Sequence, residues 1–422
     1  MFQIFRIKWL AGIFLGLAVS GAWAQQPTVP VSSDTLSLRQ AFEAAWARQP
    51  EARSLTTQQE AAQARRDSAD SWLVEPPALE VAGKTDQFDR NRGSREYEIG
   101  VAMPIWLPGE RSTTAALAAA ELNATTSRAR AAQLRTAAAV RTAYWDWRRA
   151  YIDLTLAREG LANARELVDD VSRRVKAGDL ARADQHQADG ALATAETVVA
   201  AAESALAETG QELRALTGVA PERIASGLPT PEPISSAAIP IDTLETAHPA
   251  MAELRDKVSV ARRAMTLASV QGRANPELTL ATTRERGASS EPWEQTVTVG
   301  LRIPFGSDSR SRSRVASASA EAIEAEAQLQ IERERLLAET DVARVRVESA
   351  RQQLTATERR AELAQASRAF FQKAFRLGEA DLPTRLRIEF EAAEAERQLA
   401  RAHIDLAAAI SAQRQALGLL PE

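Results

Sequence analysis

The chain is written twice. Pro77-Ala78-Leu79-Glu80-Val81 is answered 199 residues later by Pro276-Glu277-Leu278-Thr279-Leu280, and Pro50 by Pro249 at the same spacing. After a one-residue slip the spacing becomes 200. It then pairs Met103-Pro104-Ile105 with Ile303-Pro304-Phe305, Gly178-Asp179 with Gly378-Glu379, and Gly218-Val219-Ala220-Pro221-Glu222 with Gly418-Leu419-Leu420-Pro421-Glu422. Alanine-rich helices aligned by chance would match alanines, whereas here the punctuating glycines and prolines match. Any fold must therefore be two copies of one unit, residues 25–220 and 241–422, joined by a proline-rich linker over 221–240.

Each unit predicts helix, strand, strand, long helix, tight turn, helix. Leu36 to Trp72 is alanine-rich with one interruption at Pro50, and Pro76-Pro77 stops it. Strands follow at about 78–88 and 96–106, and again at about 277–285 and 293–305. In one of them Tyr97, Ile99, Val101, Met103 and Ile105 alternate with Glu96, Glu98, Gly100 and Ala102. In another Val297, Val299, Leu301, Ile303 and Phe305 alternate with Thr296, Thr298, Gly300, Arg302 and Pro304. This period of two gives one greasy face and one that is not. From about Glu110 to Lys176 and from Ser309 to Arg376 no proline occurs, which predicts helices roughly 100 Å long at 1.5 Å per residue. After each turn, apolar seams such as Leu192, Val199, Leu206 and Leu213 step by seven, as packed coiled coils require.

Composition narrows the function. Among 422 residues there is no cysteine and there are three histidines, so thiolate metal sites, disulfides and cysteine nucleophiles are excluded. His186, His248 and His403 lack a second ligand at useful helical spacing. No phosphate-cradling glycine loop or nucleophile elbow stands out, so neither an enzyme nor a cofactor is expected. A net charge of −4 offers no bulk basic field for nucleic acid. Arg6 and Lys8 precede the apolar run Trp9 to Val19, and Ala22-Trp23-Ala24 follows, the pattern of a secretory signal over 1–24 with the mature chain starting at Gln25. Charged residues interrupt every later apolar run, so strands must make any membrane contact.

Strands of about ten residues suit a transmembrane barrel, where lipid-facing and lumen-facing side chains alternate. Four cannot close, and an open edge would leave amides and carbonyls unpaired in hydrocarbon, so several chains must pool their strands; three give twelve. Tyr97, Trp106, Trp293 and Phe305 lie near strand ends, where an interfacial girdle needs aromatics. The tandem repeat, the corners Met103-Pro104-Ile105-Trp106 and Ile303-Pro304-Phe305-Gly306, and the hairpin turns at Gly178 and Gly378 resemble the outer membrane factors of the TolC family. Phe375-Arg376-Leu377-Gly378-Glu379-Ala380-Asp381-Leu382-Pro383-Thr384 and the closing Arg414-Gln415-Ala416-Leu417-Gly418-Leu419-Leu420-Pro421 look like its CzcC-type heavy-metal efflux branch.

The resemblance implies a mostly α fold with a small β part. It also implies a homotrimer, with a 12-stranded barrel in outer-membrane lipid and a periplasmic α-barrel reaching an adaptor and an inner-membrane RND pump. Gly178, Asp179, Leu180, Gly378, Glu379, Asp381 and Leu382 would form adaptor-docking tips, with the polar and apolar residues beside the glycines exposed. Some relatives carry aspartates six and nine residues after the second glycine; here Thr384 and Arg387 stand there, which argues against an aspartate ring. Asp184 could instead pair with Arg385 or Arg387 in a closed tip, or be a solvated surface charge. A soluble periplasmic coiled-coil adaptor or tether, which would also carry a signal and heptad helices, stays open as the alternative.

Overall fold

The computed structural model describes residues 36–89, 91–221, 231–234, 245–306 and 308–422. The signal segment and its cleavage point lie outside the described residues, as does most of the linker. The first unit folds as α1 (Leu38–Arg48), α2 (Pro50–Ala69), β1 (Ala78–Thr85), β2 (Arg95–Pro104), α3 (Glu110–Ala177) and α4 (Arg182–Thr217). The second repeats it as α5 (Pro249–Val270), β3 (Glu277–Arg286), β4 (Glu294–Arg302), α6 (Asp308–Arg376) and α7 (Leu382–Ala416). Pro50 opens α2 at its first turn, where its missing N–H costs nothing. Ser37 caps α1 reciprocally with Gln40, each side chain taking the other's backbone N–H at 3.1 and 2.9 Å.

α3 and α6 run 68 and 69 residues, about 100 Å at 1.5 Å per residue. Each folds back on its own short partner, α4 or α7, while α2 packs along α3 and α5 packs along both α3 and α6. The strands form one sheet in the order β1-β2-β3-β4, antiparallel throughout, so the two repeats join through β2 and β3. β1 and β4 are left as edges.

The largest core sits midway along the helices, where Phe42, Val140, Tyr144, Trp145, Trp147, Leu213 and Ile404 pack together. Threaded through it is a buried ionic knot. Glu232, from the linker, accepts from Arg141 of α3 at 3.0 and 3.3 Å and from the Ser411 hydroxyl, and faces Arg414 of α7 at 3.3 Å. Trp145 Nε1 donates to the same Ser411 at 2.9 Å, and Arg414 donates to Pro233 O at 3.0 Å. Arg141, Glu232 and Arg414 are each under 7% exposed. The linker, read from the sequence only as proline-rich punctuation, thus supplies the anion that neutralises two buried cations, one from each repeat. Breaking one partner of such a group leaves an uncompensated charge in the core and costs about 3–5 kcal/mol.

We expect Glu232→Gln to lower stability by about 3 kcal/mol, read as an earlier thermal unfolding transition by circular dichroism. A second expectation concerns His248, which is buried at the start of α5 against Gly418; a Cβ on Gly418 would lie 2.7 Å from the ring. Burial pushes the imidazole below its ordinary 6.5, with Glu339 opposing weakly. The folded chain therefore holds this proton less readily than the unfolded chain, and its stability is full above the ordinary value and falls as pH drops through about 6.5. Unfolding midpoints measured between pH 8 and pH 5 should show this slope, and His248→Gln should flatten it.

Candidate functional site

Two surfaces concentrate the features that could carry function: the strand wall and the hairpin tips at the opposite end. In the wall, the register aligns side chains into rungs. Leu79, Val101, Leu280 and Val299 form one rung and Val81, Ile99, Thr282 and Val297 the next, all on one face. Their apolar members stand exposed. On the other face the rungs are Ala82, Glu98, Thr283, Thr296 and then Lys84, Glu96, Glu285, Glu294. Counting all four strands, that polar face bears Glu80, Glu96, Glu98, Glu277, Glu285 and Glu294 against only Lys84 and Arg302. Alternation alone produces this segregation, because a strand sends successive side chains to opposite faces.

Aromatics mark both ends of the wall. Tyr97 and Trp293 stack at 5.8 Å on one rim, and Phe88 is exposed in the loop beyond it. Phe305 and Trp72 stand exposed at the rim next to the helices. Trp106 differs from the expectation, since it is half-buried and its Nε1 donates to Ser71 O at 3.2 Å. Trp72 and Phe88 were not anticipated as rim aromatics: Trp72 closes the expected first helix, and Phe88, the expected last residue of the first strand, lies in the loop beyond β1. Beneath the wall the corner is closed by Glu110, the first residue of α3. Its carboxylate accepts from Leu107 N–H at 3.0 Å, Gln271 at 2.7 Å and Asn275, which also donates to Ile105 O at 3.2 Å. This buried junction ties the first repeat's corner to the second repeat's, and sequence periodicity gave no sign of it.

At the far end, Gly178 and Gly378 adopt φ of 88° and 79°, the left-handed conformation that L side chains resist. Each ends its helix identically: Asp179 N–H bonds Arg174 O at 2.9 Å, and Glu379 N–H bonds Ala374 O at 2.9 Å. The next helices are capped by carboxylates from opposite ends of one motif. Asp184 accepts the Ala181 N–H at 2.9 Å, while Asp381 accepts the Thr384 N–H at 3.0 Å. The Thr384 hydroxyl and N–H hold the Asp381 carboxyl below its ordinary range.

Asp179, Gly178, Gly378, Glu379 and Asp381 are exposed, as expected, and so is Leu377. Leu382 is not: at 1% exposure it is core, packed with Leu167, Val171, Ala188 and Phe375, and Leu180 is half-buried against the same cluster. The expectation that both leucines lie exposed is corrected, because the first turn of α7 presses them between the two hairpins. Asp184 is engaged in its cap, and within the chain Arg387 pairs with Glu391 at 2.7 Å. Arg385 instead turns inward. Like Arg174 it lies over the Phe375 ring, each guanidinium 4.8 Å from the centroid, and it faces Asp170 of α3 at 3.7 Å. Burial pushes the Arg385 guanidinium down from its ordinary value, opposed by Glu389 and Asp170.

Phe375 is thus the pin between the hairpins, and Phe375→Ala should cost about 3–5 kcal/mol locally. Hydrogen exchange should show both glycine turns losing protection while the strands keep theirs.

Among the described residues no helix is long and apolar enough to cross a membrane and no cluster of three metal-ligating side chains occurs. Residues 39–219 match the family described as outer membrane efflux protein. No curated protein matches the chain by sequence. Among solved structures, CusC superposes with a TM-score of 0.72 at 17% identity over 90% of this chain and 92% of its own. The CmeC outer membrane channel of Campylobacter jejuni gives 0.72 at 15% identity over 97% and 93%. The outer membrane protein VceC of Vibrio cholerae gives 0.71 at 18% identity over 91% and 97%. These likenesses establish the fold over nearly the whole chain, including the second repeat that the family match does not reach.

Proposed function

We propose that the chain is an outer membrane efflux protein of the TolC family and the exit duct of a tripartite efflux system, a reading supported by the family match over residues 39–219 and by the shared fold. The strands lie in the outer membrane and the long helices in the periplasm. It performs no chemistry; substrate passes through it. The observation that carries the reading is the sheet, which has one apolar face, one acidic face and two unpaired edges on a single chain. Hydrocarbon accepts the first face, water the second, and neither tolerates the edges. Because β1 and β4 run antiparallel, β4 of one chain can pair with β1 of the next in the same alternating sense. Three copies close a twelve-stranded barrel of a size that keeps an open lumen.

The tips are the docking end for a periplasmic adaptor, which in turn couples to an inner-membrane RND pump. Gly178, Asp179, Gly378, Glu379 and Asp381 supply the exposed contacts, Leu180 flanks them, and Leu382 supports them from beneath. The gate belongs to the same end: Arg385, held by Asp170 and Phe375, ties the hairpins, while Asp184, Thr384 and Arg387 lie within a few residues of it. Cations fit the conducted cargo. Six carboxylates against two basic groups per chain give the lumen face a net charge of −4, and charged rings of that sign favour cations. The resemblance of the C-terminal third to the CzcC branch narrows this to heavy-metal cations.

Membrane fractionation should recover the chain with the outer membrane, and mass measurement in mild detergent should give a trimer; a stable monomer with intact strands refutes the architecture. The paired change Gly178→Val and Gly378→Val forces β-branched residues into left-handed turns at about 1–2 kcal/mol each. It should abolish resistance and adaptor cross-linking while leaving the trimer in place. Growth of a deletion strain across a metal series names the cargo, and an unchanged tolerance to every metal would remove the heavy-metal reading.

A further inference from the structure

Charge at the outer rim is sorted by face. The lumen side of the last rungs carries Glu96, Glu285 and Glu294 with Lys84, whereas the face continuous with the apolar rungs carries Arg95, Arg284 and Arg286. No strand residue of that apolar face is a carboxylate. Arg95 is neutralised by Asp86 at 2.9 Å. Among the described residues, Arg284 and Arg286 meet no carboxylate within ion-pair distance. They lie instead over one indole, with Cζ 5.3 and 4.9 Å from the Trp293 centroid, and Trp293 is itself stacked on Tyr97. Arg286 Nε donates to Gly93 O at 3.1 Å, which fixes the guanidinium and leaves its terminal nitrogens free for another acceptor.

Two cations ordered side by side repel each other, and an aromatic face offsets that only in part. A planar guanidinium held in place is pre-organised for bidentate contact with phosphate oxygens. The position decides which phosphate. Both arginines share the face of Leu280, Val297 and Val299, at the height of the aromatic girdle, so an anion reaching them there is attached to hydrocarbon that covers those side chains. Taking the outer-membrane reading as its premise, we propose that Arg284 and Arg286, mounted on Trp293, bind the phosphate of a phosphorylated lipid in the outward-facing leaflet. Each chain of the assembly supplies one such clamp, which fixes the depth and rotation of the barrel in the bilayer.

The test is native mass spectrometry of the full-length, detergent-purified assembly, offered phosphatidic acid, phosphatidylcholine or inorganic phosphate alone. The wild type should retain phosphatidic acid and not phosphatidylcholine, and Arg284→Gln with Arg286→Gln should lower that retention about tenfold or more. Arg284→Lys with Arg286→Lys, which keeps charge but loses the flat fork, should retain an intermediate amount. Inorganic phosphate should neither bind measurably nor displace the lipid. Equal retention by wild type and the glutamine pair overturns the proposal, as does equal retention of phosphatidylcholine. Displacement of the lipid by free phosphate reassigns the pair to a soluble anion and overturns the lipid clamp. Should the glutamine pair fail to assemble, the lysine pair and Arg284→Gln alone decide by the same comparison. Recovery of the wild type away from the outer membrane overturns the proposed function. Arginine-independent lipid retention by a chain that is recovered there overturns the clamp alone.

Discussion

A backbone amide or carbonyl that enters hydrocarbon without a partner costs several kcal/mol, and the architecture answers to that constraint. The chain makes four strands whose outer pair have no neighbours, so the membrane part is incomplete as a single copy. In the proposed assembly, closure by other copies sets the curvature of the sheet, and the curvature sets where each long helix leaves it. The corner at Glu110 is where this is enforced: one buried carboxylate holds the N–H of its own turn and two amide side chains from the other repeat. Strand direction and helix direction are thereby locked together.

Farther along the helices the same problem is solved in charge instead of backbone. Two arginines from different repeats are buried in the central core, and the linker's Glu232 faces both of them. A short segment between repeats thus does more than connect them, because the core it crosses would otherwise hold two like charges in low dielectric. Arg414 also reaches Glu422 at 2.6 Å, so the end of α7 is drawn into the same knot.

The two ends of the molecule differ in how their residues are employed. At the wall, side chains act by face: one apolar, one acidic, with cationic and aromatic residues at the outer rim; in the proposed barrel the apolar face meets lipid and the acidic face the lumen. At the tips, several of the charges that look free in one dimension are engaged locally. Asp184 and Asp381 cap helices, and Arg385 is drawn onto Phe375. What the tips leave exposed to a partner includes the two glycine turns, Asp179, Glu379, Asp381 and Leu377.

The repeat, the helix limits, the strand alternation and the two glycine turns were legible in the sequence because each depends on local rules: proline stops, left-handed glycine, and periods of 2 and 3.6. The long helices fall within one residue of where proline absence puts them, whereas β2 ends two residues, and β1 and β4 three residues, before their expected ends. The position of Leu382 was misread because exposure depends on what packs over a residue, and here Leu167, Val171 and Ala188 of the first hairpin do. The role of Asp184 was open between a gate and a solvated charge, and only the backbone geometry of Ala181 revealed its cap. The joining of the repeats through β2 and β3, the Glu232 knot and the Glu110 corner pair residues about ninety or more positions apart, and the arginines over Trp293 carry no periodic signal. Sequence by itself determined the elements and their two-fold repetition, since those follow from torsional preference and side-chain alternation along the chain. Tertiary structure alone decided which charges meet, because electrostatic partnership depends on distance in space, and that distance exists only once the chain has folded.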